Sequence, residues 1–196
     1  MSNSTLTCPN LVLMSGHNNN FTDYNNAVYS IFKSDFVDSK PIFMGTKLGL
    51  KKYPIVDGKE YTYYHFTHEG DVENNRLPDI RRMERIAFPK VFIEAVMHSD
   101  LLMWRKEIKG KNRILIFHEN ESYLIVLEDR GEYILPWTAY IIKENSRKRR
   151  LLAEYTAYQK TFQKANPKIA EKENVAEKVN NTVADKENVD QKVNID

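Results

Sequence analysis

The sequence predicts an α+β protein with a single domain, in which an antiparallel sheet is accompanied by an N-terminal and a C-terminal helix. Four runs rich in β-branched and aromatic residues follow one another between Leu101 and Ile142, separated by short turns. Apolar residues at helical spacing precede these runs, around residues 22–32, and follow them, around residues 146–162. Strands in succession, with helices grouped outside them, are typical of the α+β class.

The N-terminal helix is expected to begin at Thr22 or Asp23, whose side chains can accept hydrogen bonds from the first free amides. Its apolar residues at helical spacing are Ala27, Val28, Ile31 and Phe32. Residues 1–20 are rich in Ser, Asn and Thr, and we predict a flexible arm there. The α+β body is expected over residues 21–163.

A β-hairpin is predicted around Asp57-Gly58. These two residues adopt the positive φ angles of a tight turn readily, and they separate the runs Tyr53–Val56 and Lys59–Phe66. Tyr, Thr, Ile and Val in those runs favour strands.

Prolines mark the boundaries of the following elements. Pro78 and Asp79 suit the start of a short helix, which Pro89 should end near Phe88. Residues 90–98 fit either a helix or a strand. Pro136 indicates that the last strand lies at an edge or carries a bulge. The predicted strands are Leu101–Ile108, Arg113–His118, Ser122–Leu127 and Tyr133–Ile142.

The C-terminal helix is expected to run from about Ser146 to Phe162. Apolar and aromatic residues three or four positions apart predict the side that packs on the body. This core stripe would consist of Leu151, Tyr155, Tyr158 and Phe162.

From residue 164 to 196 the composition changes to a charged, polar tail. Lys172–Asn180 recurs, slightly altered, as Lys186–Asn194, a weak 14-residue repeat. Two such copies bury too little apolar surface to fold against chain entropy, so we predict disorder. A docking helix for a protein partner is the alternative.

Composition limits the class of protein. One cysteine, Cys8, excludes an internal disulfide and fits a reducing cytoplasm. No secretory signal and no apolar run of about 20 residues is visible, so we expect no membrane segment.

The net charge is only +2, but basic residues cluster locally. The nucleic-acid-binding candidates are Arg85, Lys111, Arg113, Arg147 and Arg149. Each cluster could equally be a solvated surface.

The candidate catalytic site is a ribonuclease site that needs no metal. Cleavage of RNA by internal attack needs a base, an acid and cations at the phosphate. His65, with His68 or Glu69, could exchange the protons, and Arg81 or Arg82 could hold the phosphate. A hydroxyl from Thr138 or Tyr140 could complete the site. A packing role for the histidine and surface ion pairs for the arginines are the alternatives.

The sequence gives less support to a zinc site or to a cofactor site. His65-x-x-His68 with Glu69 offers zinc ligands, but on a strand the two histidines would point to opposite faces. Only seven glycines are present, and none forms a phosphate-cradling loop, so we expect no cofactor.

A resemblance covers about residues 41–160. It rests on Asp57-Gly58-Lys59-Glu60, the segment Arg76–Ile86 and the run Leu135-Pro136-Trp137-Thr138-Ala139-Tyr140. These motifs resemble an uncharacterised family of small prophage and mobile-element proteins. More remotely, the order of elements is similar to phage-type members of the barnase–EndoU–colicin–RelE nuclease superfamily.

The resemblance implies an antiparallel sheet with a metal-independent ribonuclease site. His65, Thr138 and Tyr140 would match the functional positions of the superfamily, with Arg81 and Arg82 as further transfers. The chain departs from that pattern by placing Pro136 and Trp137 beside the threonine. RNA is the expected partner, and a cognate antitoxin could use the tail. The alternative is a non-catalytic nucleic-acid- or protein-binding module, such as a phage-encoded inhibitor of a host enzyme.

Overall fold

The computed structural model describes residues 5–70, 72 and 75–165. Within this part of the chain the α+β class is confirmed: short helices come first, a four-stranded antiparallel sheet follows, and a long helix comes last. Residues up to Leu151 form one compact unit, and residues from Leu152 onward belong to another. The sheet and all the sites discussed below lie in the first unit.

The N-terminal helix α1 runs from Phe21 to Phe32 and continues as a six-residue π-helical segment, Lys33–Asp38. Its cap is Asn20, whose side chain accepts hydrogen bonds from the amides of Thr22 and Asp23 at 2.9 and 3.2 Å. The helix therefore begins slightly earlier than predicted, because Asn20 provides the capping oxygen that we expected from Thr22 or Asp23.

Residues 5–20, for which the sequence predicts a flexible arm, lie along the body in the structure. The amide of Leu6 donates to the carboxylate of Asp100 at 2.8 Å. The amide of Val12 donates to the carbonyl of Glu84 at 2.8 Å. A short 3-10 helix, Met14–His17, then leads into α1.

The predicted hairpin is only half right. Asp57 and Gly58 form the turn with φ angles of 47° and 74°, and Val56 bridges Lys59 on either side of it. The expected second strand is instead helix α2, Tyr61–Thr67. Two small strands, β1 (Ile42–Phe43) and β2 (Thr46–Lys47), precede the turn.

Tertiary packing explains why α2 is helical despite its β-forming composition. A helix places Tyr63 and Phe66 on one side, where both are buried against Phe32 and Phe36 from the α1 region. The same four-residue periodicity lets the Thr67 hydroxyl donate to the Tyr63 carbonyl at 2.7 Å. Local strand propensity is too weak to outweigh this burial.

A second pair of short strands follows α2, β3 (His68–Glu69) with β4 (Leu77–Pro78). Helix α3 spans Ile80–Glu84, at the start that the sequence predicted, and the Asp79 side chain caps it. Helix α4 spans Phe88–Glu94 with Pro89 in its first turn. Pro89 thus starts a helix, where we predicted that it would end one, because the first turn needs no amide hydrogen.

The main sheet has the order β5-β6-β7-β8, with every neighbouring pair antiparallel. Its strands are Leu101–Ile108, Lys111–His118, Tyr123–Asp129 and Ile134–Ile141. Strand β8 is an edge, and its register shifts opposite Val126 and Leu127. Pro136 faces Leu127 and Thr138 faces Val126, so Trp137 is the bulged residue. The prediction from Pro136, that the last strand lies at an edge or carries a bulge, is therefore confirmed.

One face of the sheet closes the main core against α1, α2 and α4. Its central residues are Ile114, Ile116, Ile125, Leu127 and Ala139, all buried. Helices α2 and α3 lie against the edge strand β8. This contact brings the middle of the chain and the end of the sheet together, and it creates the candidate site.

Helix α5 runs from Asn145 to Ala165. Leu151 is buried, but Phe162 is 41% exposed and stacks on Tyr158. The core stripe predicted for this helix is therefore wrong at its C-terminal end.

The predicted tail lies outside the described residues from position 166 onward. None of the helices in the described ranges combines the length and apolar character needed to cross a membrane.

Candidate functional site

A cavity of about 200 Å³ opens where β3, α3, the end of β8 and the start of α5 meet. This cationic pocket is defined by four basic side chains, those of Arg81, Arg82, Lys143 and Arg147. Three carboxylates, Glu69, Asp79 and Glu144, and the phenol of Tyr140 share its wall. Arg81, Arg82 and Tyr140, predicted as catalytic, thus come together with Arg147, predicted as nucleic-acid-binding.

Arg82 connects the elements that surround this pocket. Its Nη1 donates to the carbonyls of His65 and His68, at 3.4 and 3.1 Å, and approaches Thr138 Oγ1 at 3.4 Å. The side chain is only 14% exposed. One guanidinium therefore joins the end of α2, strand β3 and the edge strand β8.

Asp79 balances the buried charge of Arg82. Its Oδ2 lies 3.6 Å from Arg82 Nε and 4.0 Å from Lys143 Nζ, while its Oδ1 caps α3. Burial lowers the pKa of Arg82, and the negative charges of Asp79 and Glu69 oppose that shift. A buried arginine with such partners keeps its positive charge at neutral pH.

Tyr140 lies between two guanidinium groups. The Cζ atoms of Arg82 and Arg147 lie 5.0 and 5.3 Å from the centre of its ring. Arg147 Nη2 also donates to the phenol oxygen at 2.5 Å. These contacts fix the hydroxyl in a strongly positive environment.

Thr138 has a positioning role in the structure. Its hydroxyl donates to the His65 carbonyl at 3.0 Å, next to the contact with Arg82. The threonine therefore helps to join α2 to β8 and is absent from the wall of the pocket.

His65 lies beside the pocket, but its ring faces elsewhere. The residue is 3% exposed, and its imidazole packs against Tyr61 and Trp137 with centroid distances of 4.4 and 5.0 Å. Its carbonyl, rather than its ring, contributes to the contacts of Arg82. This burial argues against the predicted proton transfer by the imidazole, because an RNA could not reach it without a rearrangement.

Glu69 is one of two exposed carboxylates at the pocket, the other being Glu144. Glu69 belongs to β3, directly after His68, and successive side chains on a strand point to opposite sides. Glu69 accordingly lines the cationic pocket, while His68 lines a different cavity. The sequence included both residues as alternatives, and the strand geometry separates them.

The other nucleic-acid-binding candidates do not join this pocket. Arg85 hydrogen-bonds the Arg81 carbonyl and the Glu84 carboxylate. Arg113 forms a 2.6 Å ion pair with the buried Glu128, and its guanidinium lies 4.4 Å from the centre of the Trp137 ring. Both side chains are engaged within the protein.

Lys111 and Arg149 are exposed but absent from the wall of the pocket. Tyr140 pairs through Leu124 with Phe117 on β6, six residues from Lys111. That separation is about 20 Å along a strand. Of the nucleic-acid-binding candidates, Arg147 thus lines the cationic pocket, and Lys111 lies away from it.

Sequence reasoning missed Asp79, Lys143 and Glu144 as site residues. Asp79 was recognised only as the start of a helix. Lys143 and Glu144 directly follow the strand predicted to end at Ile142, three and four residues after Tyr140. A charged pair immediately after a strand that carries a candidate site residue was the signal that could have identified them.

Among the described residues, no three His, Cys, Asp or Glu side chains converge in an arrangement that could hold a metal ion. Comparison with known proteins gave no match to a family model, to a curated protein or to a solved structure.

Proposed function

We propose that the chain is an endoribonuclease-like protein that cleaves RNA without a metal ion, at the cationic pocket. The observation that carries the proposal is the gathering of four cations, a tyrosine and three carboxylates, among them the exposed Glu69, around one cavity of about 200 Å³. A phage or mobile-element origin and a role as a toxin or defence effector rest on the sequence resemblance. The proposed site of action is the cytoplasm, and an antitoxin or other protein partner remains part of the proposal.

The cations of the pocket suit a phosphodiester. Arg81 and Arg147 offer planar guanidinium groups that can donate two parallel hydrogen bonds to phosphate oxygens, and Lys143 adds a point charge. Arg82 lies deeper, and its contacts hold the pocket in shape. Such fixed cations stabilise the extra negative charge that develops on phosphorus during internal attack.

Glu69 and Tyr140 supply the two proton transfers. The Glu69 carboxylate removes the proton of the ribose 2′-hydroxyl, whose oxygen attacks phosphorus. The bond from phosphorus to the 5′-oxygen breaks, and Tyr140 donates a proton to that leaving oxygen. The products are a 2′,3′-cyclic phosphate and a 5′-hydroxyl end. Thr138 and the His65 carbonyl act as positioning groups for Arg82.

The test uses the full chain and a labelled single-stranded RNA in EDTA. We expect cleavage that leaves a 2′,3′-cyclic phosphate. Glu69→Gln should slow it by about 10²-fold or more, because the base is lost. Arg147→Ala should also slow it strongly. The matched control is Arg149→Ala, an exposed arginine on the same helical turn outside the pocket, which should change the rate by less than about threefold.

Two results would contradict this mechanism. Cleavage that requires an added divalent metal would exclude the metal-independent reaction. Full activity of Glu69→Gln would exclude Glu69 as the base, and the effect of His65→Ala would then decide whether the imidazole acts after all.

The second candidate is a non-catalytic nucleic-acid- or protein-binding module. Two observations favour it. The His65 ring is buried, so the expected proton-transfer group does not reach RNA, and three carboxylates lower the net positive charge of the pocket. RNA bound by the wild type and lost in Arg147→Ala, with no product formed, would support this alternative. A protein captured on pull-down, with no affinity for RNA, would support an inhibitor of a host enzyme.

A further inference from the structure

A second cavity, of about 330 Å³, lies on the other side of β3 from the cationic pocket. We call it the aromatic pocket. It is formed by the turn before α2, by α2 itself, by strand β3 and by Arg76, just before β4. Its lining includes Val56, Asp57, Tyr61, Tyr64, His68 and Arg76.

Flat side chains dominate this cavity. The rings of Tyr64 and His68 lie 4.8 Å apart, and the guanidinium of Arg76 is a third planar group. Tyr61 forms a wall but is already covered by Lys51 Nζ, 3.5 Å from its ring centre, and by the His65 ring. A flat aromatic ligand would therefore contact Tyr64, His68 and Arg76 rather than the face of Tyr61.

The edges of the aromatic pocket are polar. Asp57 offers a carboxylate that can accept hydrogen bonds from the amino and imino groups of a base. Arg76 adds a positive charge to the same cavity. The Tyr64 hydroxyl already donates to the Val56 carbonyl at 2.8 Å, which holds the turn against α2.

His68 has a charge state that suits a neutral ligand. Burial, followed by the positive charges of Arg76 and Arg82, lowers its pKa from 6.5 to about 4. The imidazole is therefore neutral at pH 7. A neutral imidazole can stack on an uncharged base.

The two pockets share a wall. His68 and Glu69 are consecutive residues of β3 that point to opposite sides, one into each cavity. Arg82, from the floor of the cationic pocket, donates to the backbone carbonyl of His68. The backbone of β3 thus separates a place for an anion from a place for a flat ring.

We propose that the aromatic pocket holds the nucleobase of the nucleotide whose phosphate occupies the cationic pocket. This inference rests on the proposed function, since it takes the cationic pocket as the phosphate site. It makes the recognition of RNA dependent on the base as well as on backbone charge.

The test compares ligands with and without a base on the full chain. Dissociation constants are measured by calorimetry for the four nucleoside monophosphates and for ribose 5-phosphate. At least one nucleotide should bind about tenfold more tightly than the sugar phosphate, because stacking of one base on planar side chains supplies a free energy of this order.

Two variants probe the aromatic pocket directly. His68→Leu should reduce the advantage of the nucleotide to less than about threefold while ribose 5-phosphate binds as before. Asp57→Asn preserves a residue that tolerates the left-handed turn, and it should change which base is preferred. The control is Tyr53→Leu, on the same loop, 74% exposed and absent from the lining, which should change nothing.

The outcomes separate this inference from the proposed function. Equal affinity for all five ligands, or no binding of any of them, would overturn the base subsite, whatever RNA cleavage shows. A nucleotide preference that disappears in His68→Leu would support it, even if Glu69→Gln leaves cleavage unchanged. A preference that both His68→Leu and Asp57→Asn leave unaltered would place the base elsewhere and overturn the proposal.

Discussion

Two adjacent arginines illustrate how far residue type determines role. Arg81 and Arg82 are indistinguishable in the sequence as phosphate ligands. In the structure Arg81 is exposed at the pocket, whereas Arg82 is 14% exposed and contacts two backbone carbonyls, Thr138 and Asp79. One side chain is available to a ligand, and the other organises the protein.

This difference predicts unequal effects on stability. Arg82→Ala removes the partner of two carbonyls and leaves the Asp79 carboxylate without its nearest cation, so it should lower the free energy of unfolding by about 2–4 kcal/mol. Arg81→Ala should lower it by less than about 0.5 kcal/mol. Urea denaturation of both variants measures the difference. Equal, small effects would show that the Arg82 contacts contribute little to folding.

In the contacts of His65, the backbone carbonyl and the ring have different partners. Its carbonyl accepts hydrogen bonds from Thr138 and Arg82, while its ring packs between Tyr61 and Trp137. A search for titratable side chains cannot detect a role that belongs to the backbone.

At the level of elements, the turn at Asp57-Gly58 formed where the sequence predicted it, but the strand after it did not. Turn preference is local, because it depends on the φ angles of two residues. The state of Tyr61–Thr67 depends on Phe32 and Phe36, which are about thirty residues away. Only the folded core provides that information.

Replacing the glycine of this turn should have a measurable cost in stability. Gly58 has a φ of +74°, and a Cβ added there would meet no atom within 4 Å, so Gly58→Ala should cost about 1 kcal/mol from backbone strain alone. Gly16 also has open space around it, but its backbone lies outside the left-handed region, so Gly16→Ala should be nearly neutral. Thermal unfolding of both variants checks the prediction. A neutral Gly58→Ala would mean that the turn relaxes.

The bulge in β8 is the element-level feature that the sequence predicted best. Pro136 cannot donate a ladder hydrogen bond, which restricts it to an edge or a bulge. The register shift beside it turns Trp137 out of the regular pairing, and Thr138 then meets α2. The position was predictable, but the contact with α2 was not.

Across the molecule, the cationic pocket combines residues from three separate parts of the chain. Glu69, Arg82, Tyr140 and Arg147 are spread over almost eighty positions, and they meet because α2 and α3 lie against the edge of the sheet. The net charge of +2 gives little indication of this local concentration of cations.

The pH dependence of the free energy of unfolding should reveal the contribution of His68. Its pKa is about 4 in the folded protein against 6.5 as its ordinary value, so the unfolded chain binds the proton more tightly. The contribution of His68 to stability is therefore complete above pH 6.5 and is lost as the pH falls towards 4. No further loss from this group follows at lower pH.

Comparison with His68→Asn isolates this contribution from that of the carboxylates. Between pH 7 and pH 4.5 the wild type should lose more stability than the variant, as measured by urea denaturation at each pH. An NMR titration of the His68 ring should give a midpoint near 4. A midpoint near 6.5, with parallel stability profiles, would contradict the assigned environment.

The α+β class, the positions of the four sheet strands, the start of α3 and the bulge at Pro136 all follow from the order of amino acids alone. These features depend on periodicity, on capping and on the missing amide hydrogen of proline, all of which act over a few residues. Side-chain chemistry was also enough to select Arg81, Arg82, Tyr140 and Arg147 as candidates.

Three outcomes required the folded chain: α2 is a helix, the His65 ring is buried, and Glu69 and His68 face different cavities. Packing between distant segments controls each of them, because burial of aromatic surface outweighs local propensity and sets which side chains reach solvent. The cationic pocket exists for the same reason, as a product of the contact between α3 and the edge strand β8.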